Sequence, residues 1–157
     1  MLTDFSTKKV IALLCYLIDN SDDQVSREKL MSIFWAESPE SQARYNLRFA
    51  LWNIRKLFKE DDDDPDPLIA TRTYCQINPE FTYYYDVELF SKITQSEEQE
   101  KIQNLTKAVD IYRGAFLDGF VLRNLSEWED WVYQRREQLQ YLFLNTSVKI
   151  GDHHRLL

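Results

Sequence analysis

The sequence predicts a mainly α-helical protein, and three observations carry this prediction. Only 3 Gly and 4 Pro interrupt the 157 residues. Apolar residues recur at intervals of three and four through most of the chain, which is the spacing of one face of an α-helix. One short segment, residues 68–79, combines β-branched and aromatic residues instead, and predicts two strands with a turn near residues 72–74. The hydrophobic fraction of 44% is sufficient for a core in one or two small domains.

Three helices are predicted before this hairpin. The second helix begins after Ser26, which is a good N-cap. The third has Ser38 as its N-cap and Pro39 at its first helical position, and it ends near Phe58. The residues at helical spacing that we expect on its buried side are Ala43, Leu47, Ala50, Leu51, Ile54 and Leu57.

The remainder of the chain also predicts helices, over residues 86–96, 102–112 and 126–150. Gly151 lies where a glycine commonly ends a helix. Residues 113–120 predict a turn with a short helix. Residues 151–157 resemble the opening of another helix, so we expect the chain to be part of a longer protein.

Charge is distributed unevenly along the chain. The formal net charge is −7, but residues 1–59 carry +2, residues 60–66 carry −6 and residues 67–157 carry −3. An acidic chain therefore contains a locally basic segment, and a bound polyanion responds to this local charge.

The outward side of the third helix contains both cations and aromatic residues. Its positions recur at spacings of four and three, and two interpretations are open for the cations: a solvated helix face, or contact with a polyanion. For Tyr45 and Trp52, packing against the hairpin or the helical region competes equally with ligand contact. The residues on this side are Ser41, Tyr45, Arg48, Trp52, Arg55 and Lys59.

Three helices followed by a hairpin is the order of elements in a winged helix-turn-helix. An α-helix fits the major groove of DNA, where its outward side chains meet base edges and phosphates. Arginine and lysine neutralise phosphates, and arginine also binds guanine through two hydrogen bonds.

The sequence also resembles a known family. The segments "FSTKKVIALLCYLI", "VSREKLMSIFW", "PESQARYNLRFALWNIRKLF", "DVELF" and "YRGAFLDGF" follow, in order, the pattern of the SARP-type bacterial transcriptional activators. The resemblance implies an OmpR-like winged helix-turn-helix over residues 1–85. It also implies a helical bacterial transcriptional activator domain, similar to tetratricopeptide repeats, over residues 86–157 and truncated there.

The resemblance further implies which residues contact DNA and which partners take part. We expect Arg72 and Thr73 in the wing, with Arg72 on a phosphate rather than a base. Double-stranded DNA is the expected ligand, RNA polymerase the expected protein partner, and a homodimer the expected state on DNA. The recognition-helix positions are Arg44, Tyr45, Arg48, Trp52, Arg55 and Lys56.

Enzyme, metal and membrane chemistry find little support in the sequence. The three scattered glycines make no phosphate-binding loop, and no nucleophile–base pair can be named. We predict no catalytic residue and no cofactor. The run Asp61–Asp64 lacks the alternating ligands of a calcium loop, so no metal is predicted. No membrane segment or signal peptide is visible, and two cysteines make no disulfide framework, so we expect a cytoplasmic protein.

The leading functional prediction is a bacterial DNA-binding transcriptional regulator that docks residues 39–58 in the major groove. The alternative is a winged-helix protein-interaction module that no longer binds DNA. The acidic run is most simply a flexible, solubilising loop. It would otherwise discourage non-specific DNA binding or contact a basic partner.

Overall fold

A computed structural model describes residues 4–95 and 102–155 of the chain. These residues are mainly helical and include one small three-stranded antiparallel sheet. The elements are α1 (Asp4–Asp19), β1 (Val25–Ser26), α2 (Arg27–Phe34), α3 (Glu40–Phe58), β2 (Leu68–Ala70), β3 (Tyr74–Ile77), α4 (Asp86–Gln95), α5 (Ile102–Ile111) and α6 (Ser126–Arg155).

The chain divides into two compact units. Among the described residues, the first unit comprises 4–83 and 122–128, and the second comprises 84–95, 102–121 and 129–155. The predicted division followed residue 85 and was sequential. The division in the structure differs because residues 122–128 lie with the first unit.

The core of the first unit is formed by the apolar sides of α1, α2 and α3. Leu13, Leu30 and Leu47, one from each helix, are fully buried. Burial of each such side chain contributes about 1.5–3 kcal/mol to folding. Trp128 is 2% exposed and packs on Phe34, with the ring centroids 5.6 Å apart. On α3, the side that bears Leu47 and Ile54 faces this core, so the opposite side faces outward.

The predicted start of α2 is confirmed, whereas that of α3 is wrong by one residue. The Ser26 hydroxyl accepts a hydrogen bond of 3.1 Å from the backbone N–H of Lys29. The N-cap of α3 is Pro39 rather than Ser38, and no side chain caps this helix. Pro39 has an extended ψ of 148°, so the first helical residue is Glu40.

Five of the six residues predicted on the buried side of α3 are buried, and Leu57 is not. Leu57 is 63% exposed, and its neighbours Lys56 and Phe58 are exposed as well. The last turn of α3 therefore extends past the side chains that cover the rest of the helix, although its spacing continues the apolar stripe.

The predicted hairpin is confirmed. Its two strands, β2 and β3, pair antiparallel with Ala70 opposite Cys75. The sequence did not predict β1, which pairs with the outer side of β3, with Val25 opposite Cys75. A strand of two residues has no periodicity to recognise, and β1 depends on a partner far along the chain.

The second unit is built from α4, α5, residues 112–121 and most of α6. Phe90, Ala108, Phe116 and Leu139 form its buried core. The predicted short helix within residues 113–120 is wrong. This segment is a turn in which Leu117 and Gly119 have positive φ angles of 50° and 75°, a region that interrupts a right-handed helix. The Arg136 guanidinium donates to the carbonyl oxygens of Phe116 and Leu117 and holds the turn against α6.

Helix α6 does not end at Gly151, so that prediction is wrong. The helix continues through Gly151 to Arg155, and residues 151–155 belong to it rather than to a new helix. A glycine in a helix interior costs only about 1 kcal/mol relative to alanine, which does not force a helix to end. The predicted end of α4, near Ser96, lies outside the described residues, and α4 is described to Gln95.

Candidate functional site

The first unit contains a groove of about 1500 Å³ between three of its elements. One wall is the start of α2, the second is the first half of α3, and the third is the turn between β2 and β3. The groove residues that bear charged or hydroxyl groups are Ser26, Arg27, Glu28, Glu40, Ser41, Arg44, Arg48, Thr71, Arg72 and Thr73.

The hairpin turn at the edge of this groove is held in place by local hydrogen bonds. The Thr71 hydroxyl accepts from the backbone N–H groups of Thr73 (3.2 Å) and Tyr74 (3.1 Å). The Thr71 backbone N–H also donates to the Tyr74 carbonyl at 2.9 Å. A threonine side chain thus closes a turn that has neither Asn-Gly nor Asp-Gly, by a known hydroxyl–backbone mechanism.

Arg27 joins the turn to the start of α2. Its Nε donates to the Thr71 carbonyl at 2.6 Å, and its backbone N–H donates to the Thr73 carbonyl at 2.9 Å. These two bonds position Arg72, which lies between the two acceptor residues. Local sequence spacing gives no signal for this role of Arg27, because the role depends on contacts with residues far away in the chain.

The charge of the groove is positive, with four arginines and two glutamates along its walls. Arg44 pairs with Glu40 one turn earlier on α3, but its side chain remains 65% exposed. Arg48 and Arg72 are exposed, and neither has a hydrogen-bond or ion-pair partner among the described residues. Two guanidinium groups are therefore open to solvent on opposite walls.

The outermost side of α3 carries three aromatic rings, which we call the aromatic ridge: Tyr45, Phe49 and Trp52. Neighbouring ring centroids are 6.3 and 5.9 Å apart, with interplanar angles of 5° and 21°. The Lys56 ammonium lies 4.0 Å from the centroid of the Trp52 ring, which favours a cation–π interaction. The three side chains are 55%, 40% and 49% exposed, respectively.

Arg55 differs from the other predicted contact residues because it is paired and partly covered. Its Nε donates to both carboxylate oxygens of Asp66, at 3.1 and 3.0 Å, and its side chain is 33% exposed. Asp66 is itself fixed, since it also accepts from the Leu68 backbone N–H at 3.0 Å. In this arrangement Arg55 anchors the acidic segment to α3.

The acidic segment 60–66 is organised by its own carboxylates. The Asp64 carboxylate accepts from the backbone N–H groups of Glu60 and Asp61, each at 2.9 Å. These bonds, first of all that from Asp61, hold the pKa of Asp64 below its usual range. Asp64 thus closes a turn as an anion, while Asp61, Asp62 and Asp63 remain exposed.

The structure divides the eight predicted contact residues into three sets. Arg44, Arg48, Arg72 and Thr73 line the groove; Tyr45 and Trp52 belong to the aromatic ridge, with Lys56 on the Trp52 ring; and Arg55 is paired with Asp66. Phe49 was not among the predicted contacts, although its position between Tyr45 and Trp52 at helical spacing was a signal that could have found it.

The described residues contain neither a metal-binding cluster nor a disulfide. No group of three or more His, Cys, Asp or Glu in residues 4–95 and 102–155 is arranged to hold a metal ion. Cys15 and Cys75 are free, and burial raises the pKa of both thiols. Over the same residues, every helix is too short or too polar to cross a membrane.

No protein-family model matches the chain, and no curated protein matches it significantly.

Proposed function

We propose that this protein is a DNA-binding transcriptional regulator that docks α3 in the major groove of a duplex. The observation that carries the proposal is the groove, because Arg48 on α3 and Arg72 on the hairpin turn are both exposed and unpaired there among the described residues. Two such cations on different elements, both on the flank of α3 that faces the hairpin turn, match the repeated negative charge of a phosphate backbone beside an inserted helix.

The dimensions of α3 agree with this mode of binding. A helix with its side chains is about 10–12 Å wide, and the major groove is about 12 Å wide. With 19 residues, α3 is about 28 Å long, so several turns can lie along the groove. Arg44 and Arg48 would contact the backbone on one side, and Arg72 and Thr73 would contact it beyond the groove edge.

The order of elements in the first unit supports a winged helix-turn-helix. Three helices precede the β2–β3 hairpin, and the hairpin turn lies beside the first half of α3 across the groove. The resemblance of the sequence to SARP-type regulators points the same way. In this proposal the second, helical unit resembles tetratricopeptide repeats and contacts RNA polymerase or another partner. We assign no catalytic residue, and we propose action in the bacterial cytoplasm as a dimer on DNA.

The proposal is tested by measuring affinity for fluorescent duplex DNA over a salt series. If about four phosphates are contacted, log affinity should fall against log salt with a slope near −3.6. The variant Arg48→Gln with Arg72→Gln should make that slope shallower, at about −1.8, because two phosphate contacts are removed. The matched control is Lys107→Gln with Arg113→Gln, which removes the same charge from exposed positions in the second unit.

The control pair should leave the slope unchanged. An equal loss in both double variants would mean that net charge alone attracts DNA, and it would overturn the assignment of the groove. Absence of salt-dependent duplex binding in the wild type would overturn the proposed function itself.

The aromatic ridge favours a second candidate function, a protein-interaction module without DNA binding. Tyr, Trp and Phe are enriched at protein interfaces, where a few buried aromatics dominate affinity. The spacing of Tyr45, Phe49 and Trp52 is also that of the anchors by which a helix enters an apolar groove. Recovery of a partner protein through the ridge, together with no duplex binding at low salt, would establish this candidate instead.

A further inference from the structure

The aromatic ridge lies where a docked α3 would reach deepest. The buried Ile54 lies nine positions after Tyr45. Nine positions are about two and a half helical turns, so the two residues lie on opposite sides of α3. Lys56 likewise lies nine positions after the buried Leu47, and so on the opposite side of the helix from it. The ridge is thus the crest of the helix, whereas Arg44 and Arg48 lie on the flank that faces the hairpin turn.

Crest residues of a recognition helix contact base edges, and this crest consists of aromatic rings whose hydrogen-bonding groups are the Tyr45 hydroxyl and the Trp52 indole N–H. Most base-edge groups in the major groove are hydrogen-bond donors or acceptors, which are read best by two parallel bonds from an amide or guanidinium; a phenol or an indole offers one bond, and the rest of each ring is apolar. The exception is the C5-methyl group of thymine, whose partners are apolar side chains, including phenylalanine. Rings on the crest therefore match one base-edge group better than any other.

The amide side chains of α3 do not compensate for the lack of polar groups on the crest. Gln42 donates to the Asn46 side chain at 2.9 Å, and Asn53 donates to the Phe49 carbonyl at 2.8 Å. Asparagine and glutamine read adenine by using the donor and the acceptor of the amide together, and in each of these three side chains one of the two groups is already bonded within the helix. This leaves the aromatic rings as the principal groups on the crest.

We infer that the aromatic ridge reads thymine methyl groups, so that this protein selects duplexes with thymine in the major groove facing Tyr45, Phe49 and Trp52. The inference rests on the proposed DNA-binding function and names its preferred substrate. Arg44, Arg48 and Arg72 lie on one flank of the ridge, where they supply charge complementarity to the phosphates along that side of the DNA groove. Lys56, on the Trp52 ring, adds a cation at the end of the ridge toward the C-terminus of α3.

The thymine methyl can be removed without other changes to the base edge. Affinity is measured for a short A·T-rich duplex and for the same duplex with uracil at every thymine position. Burial of one methyl group contributes about 0.8 kcal/mol, so the uracil duplex should bind about fourfold more weakly for each methyl contacted. In a G·C-rich duplex, 5-methylcytosine at every cytosine should raise affinity, because it restores a methyl at the same place.

The ridge is tested by the triple variant Tyr45→Ala, Phe49→Ala and Trp52→Ala. It should bind thymine and uracil duplexes equally while retaining the salt dependence that the groove arginines provide. All three side chains are well exposed, and circular dichroism verifies that the variant remains folded. The control Tyr133→Ala with Tyr141→Ala removes exposed aromatics of α6 and should preserve the thymine preference.

The outcomes separate this inference from the proposed function. Equal affinity of the wild type for thymine and uracil duplexes, with salt-dependent binding retained, overturns the methyl readout and leaves DNA binding standing. Loss of all salt-dependent duplex binding overturns both. Tighter, ridge-dependent binding to an unpaired strand, with thymine and uracil alike, overturns the methyl readout in favour of base stacking on the rings.

Discussion

Arg48 and Arg55 lie seven residues apart, about two turns along the same side of α3, yet they occupy different environments. Arg48, in the first half of the helix, is exposed in the groove beside the hairpin turn. Arg55, in the second half, is two-thirds covered and bonded to Asp66. A helical stripe of cations therefore does not define a binding surface by itself. The segment that lies beside each half of the helix decides which guanidinium is available.

The two halves of α3 differ because different segments of the chain lie beside them. Residues 41–59 contain five cations and no acidic residue, whereas residues 60–66 contain six acidic residues. Asp66 neutralises Arg55 and Asp64 closes the turn, so part of the acidic run has a structural role. The first half of α3 has the hairpin turn beside it instead, and this turn adds a further cation in Arg72.

The largest expected effect is the contrast between Arg48→Gln and Arg55→Gln in duplex binding. Loss of one phosphate contact should weaken duplex binding about fivefold at 0.15 M salt and make the negative slope of log affinity against log salt shallower by about 0.9. We expect this for Arg48→Gln and less than about a twofold change for Arg55→Gln, because Asp66 already neutralises Arg55. Fluorescence anisotropy over a salt series measures both. Equal losses of duplex affinity in the two variants would show that Arg55 is as available to a phosphate as Arg48.

A smaller effect is expected when Arg55 is released from its partner. Asp66→Asn removes the carboxylate charge and keeps an oxygen that can accept from the Leu68 N–H. Duplex affinity should rise about twofold to threefold, and the salt slope should steepen, because Arg55 becomes available to a phosphate.

The double variant Asp66→Asn with Arg55→Gln is the control for this release. It should lose the gain, which a double-mutant cycle isolates from effects on the loop. A gain that persists in the double variant would mean that general acidity, and not the ion pair with Arg55, limits binding.

The three exposed aspartates of the acidic segment should weaken duplex binding by a smaller factor, and high salt should remove their effect. Asp61→Asn, Asp62→Asn and Asp63→Asn together should raise duplex affinity about twofold at low salt and leave it unchanged at high salt, since exposed charges are screened beyond the Debye length. The control replaces three exposed carboxylates of the second unit, Asp110→Asn, Glu129→Gln and Asp130→Asn. An equal rise in the control would reduce the effect to net charge.

Helical periodicity predicted most of the architecture around α3. It identified the three helices and five of the six buried residues of α3, because the helices bury stripes that recur in sequence. The hairpin was predicted separately, from the β-branched and aromatic residues of 68–79. It failed where the determinant is distant in the chain. β1 exists through its pairing with β3, and the location of residues 122–128 in the first unit depends on contacts such as that of Trp128 with Phe34.

The candidate site was predicted less completely than the fold. The exposed face of α3 was visible as a stripe, but its division into a groove flank, an aromatic ridge and a paired arginine was not. The Arg55–Asp66 ion pair requires the chain to turn back on α3 after the acidic run, and local spacing carries no such information. Arg27 likewise acts on the hairpin turn through residues more than forty positions later.

The smallest expected effect concerns a paired cation outside α3. Lys29 on α2 donates to Glu127 at 2.9 Å, with both side chains about half exposed. Its hydrogen bond to Glu127 raises the pKa of Lys29, and the same bond lowers the pKa of Glu127. An exposed pair of this kind contributes little, so Glu127→Gln should lower the free energy of unfolding by about 0.5 kcal/mol and leave duplex affinity unchanged.

The pH dependence of that loss distinguishes an ion pair from a packing contact. Because the pKa of Glu127 is lowered on folding, its contribution is complete above the unfolded carboxyl pKa and disappears as the pH falls through the folded one. The stability difference between wild type and Glu127→Gln, measured by urea unfolding, should therefore vanish in acid and persist at neutral pH. The control Glu129→Gln removes an exposed carboxylate from the same helix that has no ion-pair partner among the described residues, so it measures the effect of the charge alone. If the stability difference between wild type and Glu127→Gln stays constant into acid, the Lys29–Glu127 contact stabilises the fold by packing and not as an ion pair.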